Sequence, residues 1–120
     1  MKYLLLLNRV EDDDIPEPDT PEGAALFAAY QQFNDEMKDA GVYRDCEPLR
    51  GQSATTTVRV RGGETLITDG PAAEIKEHLG GYTVIECADL DEALRWAARS
   101  PAAGDASVEV HPVVTIEEPM

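Results

Sequence analysis

Cysteine is scarce in this sequence, and no apolar run is long. Cys46 and Cys87 lie far apart, with no Cys-x-x-Cys pair or metal-ligand cluster around either. We therefore expect no disulfide framework and no metal centre, and we expect reduced thiols in the cytoplasm. The apolar run over residues 3–7 stops at Asn8 and Arg9, and no small-residue cleavage site follows it. We therefore do not predict a signal peptide. No stretch reaches the ~20 apolar residues of a membrane span.

Basic residues are also few, because 10 Lys and Arg stand against 24 Asp and Glu, for a net charge of −14. So acidic a surface repels phosphate backbones and anionic bilayers, so we expect no direct binding to nucleic acid or membrane. The densest acidic run, residues 11–22, contains prolines and no base, which predicts an extended solvated loop. The length of 120 residues predicts one domain, residues 1–120, with its own core.

The first half of the chain predicts a strand followed by a helix. Residues 2–9 form a strand with leucines on both faces, so both faces need a cover. Thr20 suits the N-cap and Pro21 the first position of a helix over residues 21–40. Gly41 suits its left-handed end.

The second half predicts a hairpin, further strands and a second helix. The segments are an irregular stretch at 42–54, hairpin strands at 55–61 and 64–68 around Gly62-Gly63, about two helical turns at 72–79, a strand at 82–87, a helix at 89–100 and a strand at 107–115. Asp89 and Glu92 have the capping-box spacing of the second helix. The buried face of that helix is predicted from the spacing of Leu90, Ala93, Leu94 and Ala97, with Trp96 at its edge.

The order β-α-β-β-β-α-β predicts an α+β fold, in which two helices cover one face of a ferredoxin-like antiparallel sheet. The uncovered face still carries apolar side chains from residues 4–7, from Val84 or Ile85, and from Val113. A wet apolar patch of that size is uncommon in a monomer. We therefore expect a homodimer in which a second copy covers this face.

Residues 69–77 read Asp-Gly-Pro-Ala-Ala-Glu-Ile-Lys-Glu, followed by Leu-Gly-Gly-Tyr at 79–82. This segment resembles the DGPFAETKE motif of the YCII-related, or DGPF, domain family, and the similarity extends from residue 2 to about residue 114. The resemblance implies a dimeric α+β barrel from a bacterium, often encoded beside an extracytoplasmic-function sigma factor and without a settled reaction. Ala72 replaces the usual Phe of the motif, and His111 replaces the usual Arg of the last strand.

The motif supplies most of the candidate site residues. The predicted ligand-binding residues are Asp69, Gly70, Pro71, Glu74, Lys76 and Glu77. Asp69 is either a turn residue that accepts backbone N–H groups or a general base. Lys76 can pair with a carboxylate or bind an anionic substrate. Asp69, Glu74 and His78 are too dispersed to predict a metal site.

His111 is the second candidate acid–base residue, because it shares a strand face with Glu109. The alternative is a strand histidine that is hydrogen-bonded at the margin of the sheet. No phosphate loop, dinucleotide fingerprint or nucleophile elbow is present in the sequence, so we expect no cofactor.

The sequence is compatible with two functional hypotheses. The first is a dimeric module, regulatory or small-molecule-binding and linked to a sigma factor, whose cleft lies near residues 69–77. The second is a cofactor-free enzyme, similar to monooxygenases or isomerases of the dimeric α+β barrel type. In the second case Asp69 or His111 would be the acid–base group, and Lys76 would stabilise charge.

Overall fold

The computed structural model describes residues 1–10, 15–72 and 77–116. Within these ranges the elements, in chain order, are β1 (Lys2–Arg9), α1 (Pro21–Asp39), β2 (Tyr43–Pro48), a 3-10 turn (Gln52–Ala54), β3 (Thr56–Arg61), β4 (Glu64–Asp69), β5 (His78–Glu86), α2 (Leu90–Arg99), α3 (Pro101–Asp105) and β6 (Ser107–Pro112). Among the described residues, four strands form one antiparallel sheet in the order β2-β5-β1-β6, while β3 and β4 pair only with each other. The α+β, ferredoxin-like fold is thereby confirmed.

The core lies on the face of the sheet that the helices cover. Alternation along β1 places Leu5, which is fully buried, on this face, and its neighbours Tyr3 and Leu7 are 2% and 5% exposed. Leu4 and Leu6 point to the opposite face and are only half-buried. The core is completed by residues from β5, α1, α2 and α3, namely Ile85, Phe33, Met37, Ala93, Trp96, Ala97 and Ala102.

Helix α1 begins and ends where its sequence predicts. The Thr20 Oγ1 accepts a hydrogen bond from the backbone N–H of Gly23 at 3.0 Å, and Pro21 occupies the first turn. Phe33 and Met37 are buried against the sheet. Gly41 ends the helix with a φ of +78°, a left-handed conformation that favours glycine.

Two segments differ from the sequence prediction. The stretch predicted to be irregular contains β2, a polar edge strand that pairs with β5 along only one side. The helix predicted over residues 72–79 is wrong in its described part, because His78 and Leu79 begin β5 and pair with Arg9 and Asn8. Residues 73–76 of that segment lie outside the described ranges. Backbone pairing with a distant strand overrides local helix propensity here.

The buried face of α2 agrees with its prediction only in part, since Ala93 and Ala97 are buried as expected. The Asp89 cap is confirmed, since its carboxylate accepts from the Glu92 N–H at 2.9 Å. Trp96, however, is 8% exposed and in the core, whereas Leu90 and Leu94 are 46% and 47% exposed. The larger ring takes the site against Phe33, with centroids 6.4 Å apart, and fixes the rotation of the helix.

Strands β3 and β4 form a hairpin arm, defined as residues 56–69. Gly62 and Gly63 have φ angles of +59° and +81°, which suits a two-residue turn between strands. The predicted hairpin is therefore confirmed. Its strand β4 is exposed along its whole length.

Candidate ligand-binding site

The Asp-Gly-Pro segment closes the base of the hairpin arm. Asp69 is the last residue of β4 and pairs with Thr56. Gly70 has a φ of +91°, its N–H donates to the Thr55 carbonyl at 2.7 Å, and its own carbonyl accepts from the Thr57 hydroxyl at 2.7 Å. This geometry explains why the turn needs glycine.

The remaining motif residues are only partly placed. Pro71 is exposed and Glu77 is half-buried in a bend before β5, whereas Glu74 and Lys76 lie outside the described residues. A cleft formed by residues 69–77 therefore stays a prediction. Among the described residues, no cluster of three or more His, Cys, Asp or Glu could hold a metal ion.

His111 and Glu109 form a hydrogen-bonded pair, as their shared strand face predicts. The His111 Nε2 lies 3.1 Å from the Glu109 Oε2, and the Asn8 amide donates to the other Glu109 oxygen at 3.3 Å. Both hydrogen bonds hold the pKa of Glu109 below its ordinary value, and the one with His111 has the larger effect. His111 lies in the four-stranded sheet and Asp69 in the arm, and the described contacts include no hydrogen bond between them. A catalytic role for either residue stays a prediction.

We expect the substitution His111→Ala to raise the Glu109 pKa toward the ordinary glutamate value. Because the folded-state pKa is depressed, this hydrogen bond stabilises the fold above the unfolded-state pKa, and the stabilisation is lost as pH falls through the folded-state value. A carbon-detected NMR titration of the Glu109 carboxyl measures the shift. Asn8→Ala serves as the comparison, with a smaller rise; an unchanged Glu109 titration in His111→Ala would contradict the assignment.

A cavity of about 390 Å³ lies beside α1 on the helix-covered side of the sheet. One wall is α1 itself, through Leu26, Phe27 and Tyr30, and the end of β2 at Cys46 and Pro48 forms another. Alternation along β2 directs the Cys46 side chain toward the helices, and the side chains of Asp45 and Glu47 toward the opposite face. Cys46 therefore faces the cavity. The lining is mainly apolar.

A third wall comes from residues 15–18, here named the proline segment. This segment packs against the first turn of α1, where the Thr20 hydroxyl donates to the Glu17 carbonyl at 2.7 Å. A Cβ atom built on Gly23 would lie 1.8 Å from the same carbonyl oxygen, far inside van der Waals contact. Only glycine at this position lets the proline segment approach so closely.

The floor of the cavity is the glycine pair of β5. A Cβ on Gly80 would lie 2.6 Å from the Arg9 side chain, and a Cβ on Gly81 would lie 2.9 Å from the Glu47 carbonyl oxygen. Glycine inside a strand commonly marks such a close approach. The Leu-Gly-Gly-Tyr segment that accompanies the sequence motif therefore shapes the cavity.

Some polar groups also line this mainly apolar cavity. The Asn34 Oδ1 is buried, and the described part of the chain gives it no hydrogen-bond partner. The Lys38 ammonium lies 4.9 Å from the centre of the Tyr43 ring, at the far end of the same helix face. Burial raises the pKa of the Tyr30 phenol, although its hydrogen bond with Ser100 acts in the opposite direction.

Sequence reasoning missed the residues that build this cavity. In the sequence, Gly23 lies inside a predicted helix, and Gly80 and Gly81 lie between the helical turns predicted at 72–79 and the strand predicted at 82–87. Glycine within a helix or strand pattern is the signal that could have indicated close packing at these positions. Asn34 carries no such signal, since a polar residue on an amphipathic helix normally faces solvent.

Comparisons with known proteins identify the family of the chain. The family model described as YCII-related domain matches residues 1–117. An uncharacterised protein of Rhizobium meliloti (strain 1021) is 46% identical over 79 aligned residues, and the match covers 62% of this chain and 62% of that protein. The chain thus spans less than two thirds of the length of this relative. No helix in the described ranges is both long and apolar enough to cross a bilayer. The chain belongs to the YCII-related domain family.

Proposed function

We propose that this protein is a small-molecule-binding module whose ligand occupies the cavity beside α1. The observation that carries the proposal is a preformed, mainly apolar cavity of about 390 Å³, which lies in the size range of small-molecule sites. It keeps the binding hypothesis made from the sequence, but it moves the ligand from the predicted cleft at residues 69–77 to the α1 cavity.

The lining indicates the chemistry of the ligand. The charged side chains beside the cavity are of both signs, with Arg9 and Lys38 against Asp35, so the lining does not select a strongly charged molecule. The aromatic and aliphatic wall favours an apolar ring. The buried Asn34 Oδ1 needs a donor, because an unsatisfied buried acceptor is costly. The ligand we infer is a compact aromatic molecule with one hydroxyl or amino group.

The test compares two probes that differ in one hydroxyl group, p-cresol and toluene. We expect the wild-type protein to bind p-cresol up to about tenfold more tightly, since a net hydrogen bond contributes ~0.5–1.5 kcal/mol. In Asn34→Leu the ratio of the affinities for p-cresol and toluene should fall to about 1. Toluene should bind this variant at least as tightly as it binds the wild type. Titrations followed by amide chemical shifts measure both affinities.

Comparison of the two probes in the wild type and in Asn34→Leu distinguishes three outcomes. Loss of the preference with toluene binding retained supports the ligand chemistry. No shift of residues around the cavity with either probe in the wild type would overturn the proposed site. Retention of the full preference in Asn34→Leu would overturn the role of the amide oxygen.

A further inference from the structure

Cys46 brings a thiol to the wall of the α1 cavity. The residue is half-buried in β2 and lines the cavity together with Tyr30 and Asn34 of α1. The second thiol of the chain, that of Cys87, is buried, and its Sγ lies 3.5 Å from the Asp89 carbonyl oxygen. The Cys46 thiol is therefore the one that a ligand in the cavity can reach.

A buried hydroxyl group lies directly across the strand pair from this thiol. Cys46 of β2 is paired with Thr83 of β5, and Thr83 is also paired with the core residue Leu5 of β1. Paired residues point to the same face of a sheet, so the Cys46 and Thr83 side chains both point toward the helices. They point away from the open face, which is the face opposite the helices. Their Cβ atoms are expected to lie about 4.5–5.5 Å apart.

The Thr83 hydroxyl group has no hydrogen-bond partner in the described part of the chain, although the residue is 0% exposed. Buried polar groups without a partner are uncommon in native proteins, because each one costs free energy. The Asn34 Oδ1 in the cavity wall is a second such atom. An acceptor on α1 and a hydroxyl group on β5 thus both lack a partner on the side of the sheet where the thiol lies.

We propose that Cys46 captures an electrophilic ligand covalently. Covalent capture in this cavity rests on the proposed function, because the ligand is the same aromatic molecule with one hydroxyl group, here carrying a carbon–carbon double bond conjugated to a carbonyl group. The ring hydroxyl donates to the Asn34 Oδ1, the double bond meets the Cys46 sulfur, and the Thr83 hydroxyl donates to the carbonyl oxygen. Both unpartnered groups then gain a hydrogen bond.

The chemistry is a conjugate addition that needs no further reagent. The Cys46 thiol gives its proton to water, and an electron pair of the sulfur forms a bond with the β-carbon of the ligand. The π electron pair of the double bond shifts toward the carbonyl group, and the Thr83 hydroxyl stabilises the enolate oxygen that forms. The α-carbon then takes up a proton from water. The net change is addition of S–H across the double bond, with no leaving group.

The first test compares two maleimides, which contain such a double bond: N-(p-hydroxyphenyl)maleimide and N-methylmaleimide, which lacks the ring. The reference is an exposed thiol on the hairpin arm, in a chain with Cys46→Ser and Thr68→Cys. Intact-mass spectrometry measures the rate constants. We expect the ratio of the two rate constants, hydroxyphenyl over methyl, to be about tenfold larger or more for the wild type than for the reference, because the cavity positions the ring.

Two further results belong to this test. Excess p-cresol should slow the wild-type reaction with the aromatic maleimide, and a chain with Cys46→Ser alone should stay unmodified because Cys87 is buried. Equal ratios for the wild type and the reference would overturn covalent capture at Cys46.

The second test removes the hydroxyl group of Thr83. In Thr83→Val the limiting rate at saturating N-(p-hydroxyphenyl)maleimide should fall by about fivefold, the effect of one net hydrogen bond, while p-cresol binds with unchanged affinity. Thr83→Ser keeps a hydroxyl group and should react at nearly the wild-type rate. A wild-type limiting rate in Thr83→Val would overturn the role of this hydroxyl group.

The p-cresol titration distinguishes failure of covalent capture from failure of the proposed function. Binding of p-cresol in the cavity, together with equal maleimide ratios, would overturn covalent capture and leave the proposed function standing. Absence of p-cresol binding to the wild type would overturn both.

Discussion

Substitution of Trp96 by alanine is expected to lower the free energy of unfolding by about 3–5 kcal/mol, the usual cost of removing a buried large aromatic ring. The indole is 8% exposed, packs against Phe33 and carries the Arg99 guanidinium 4.3 Å from its ring centre. Arg99 also pairs with Glu36 of α1, so the ring and its cation join the two helices. Urea denaturation followed by circular dichroism measures the change.

Leu94→Ala is the matched control on the same helix. Leu94 is 47% exposed, and alanine is a strong helix former, so we expect a change within about 0.5 kcal/mol. Trp96→Phe gives a smaller loss that remains measurable if the alanine variant does not fold. A larger loss for Leu94→Ala than for Trp96→Ala would contradict the rotation of α2 described above.

The second large effect is expected from Gly23→Ala, which should weaken p-cresol binding at least tenfold while the fold persists. This prediction rests on the proposed ligand site. The added methyl group would lie 1.8 Å from the Glu17 carbonyl oxygen, so the proline segment must move and one wall of the cavity opens. The stability of α1 should not fall through helix propensity, since alanine is favoured over glycine inside a helix.

Gly104→Ala is the control for this substitution, because a Cβ atom there would meet nothing within 4 Å. We expect its affinity for p-cresol to equal that of the wild type. Thermal unfolding of both variants shows whether a loss of affinity comes from an opened cavity wall or from unfolding of the protein. Unchanged affinity in Gly23→Ala would show that the proline segment does not form part of the binding site.

Elements with strong local signals could be predicted from the sequence. The cap at Thr20 and Pro21 fixes the start of α1, and Gly62-Gly63 fixes the turn of the arm. The alternation of leucines along β1 correctly divides the strand between a helix-covered face and an open face. These signals are local, so they do not depend on contacts with distant parts of the chain.

Elements that depend on distant partners could not be predicted. Strand β2 is polar because it is an edge strand, and its sequence carries little β propensity. In α2 the small side chains at Ala93 and Ala97 allow more than one buried face, and contact with Phe33 decides in favour of Trp96.

The ligand site is the clearest case of such dependence. Its walls come from the proline segment, α1, the end of β2 and the glycine pair of β5, which are separated by most of the chain. No short motif joins these segments. The sequence motif at residues 69–77 is local and conspicuous, but its described part closes the base of the arm.

The most direct test of the ligand site is a set of intermolecular nuclear Overhauser effects from p-cresol ring protons to assigned methyl groups. We expect contacts to Leu7 and Leu26, which line the α1 cavity. Contacts only to Val58, Val60 or Ile67 of the arm, or only to Leu4 and Leu6 of the open face, would contradict it.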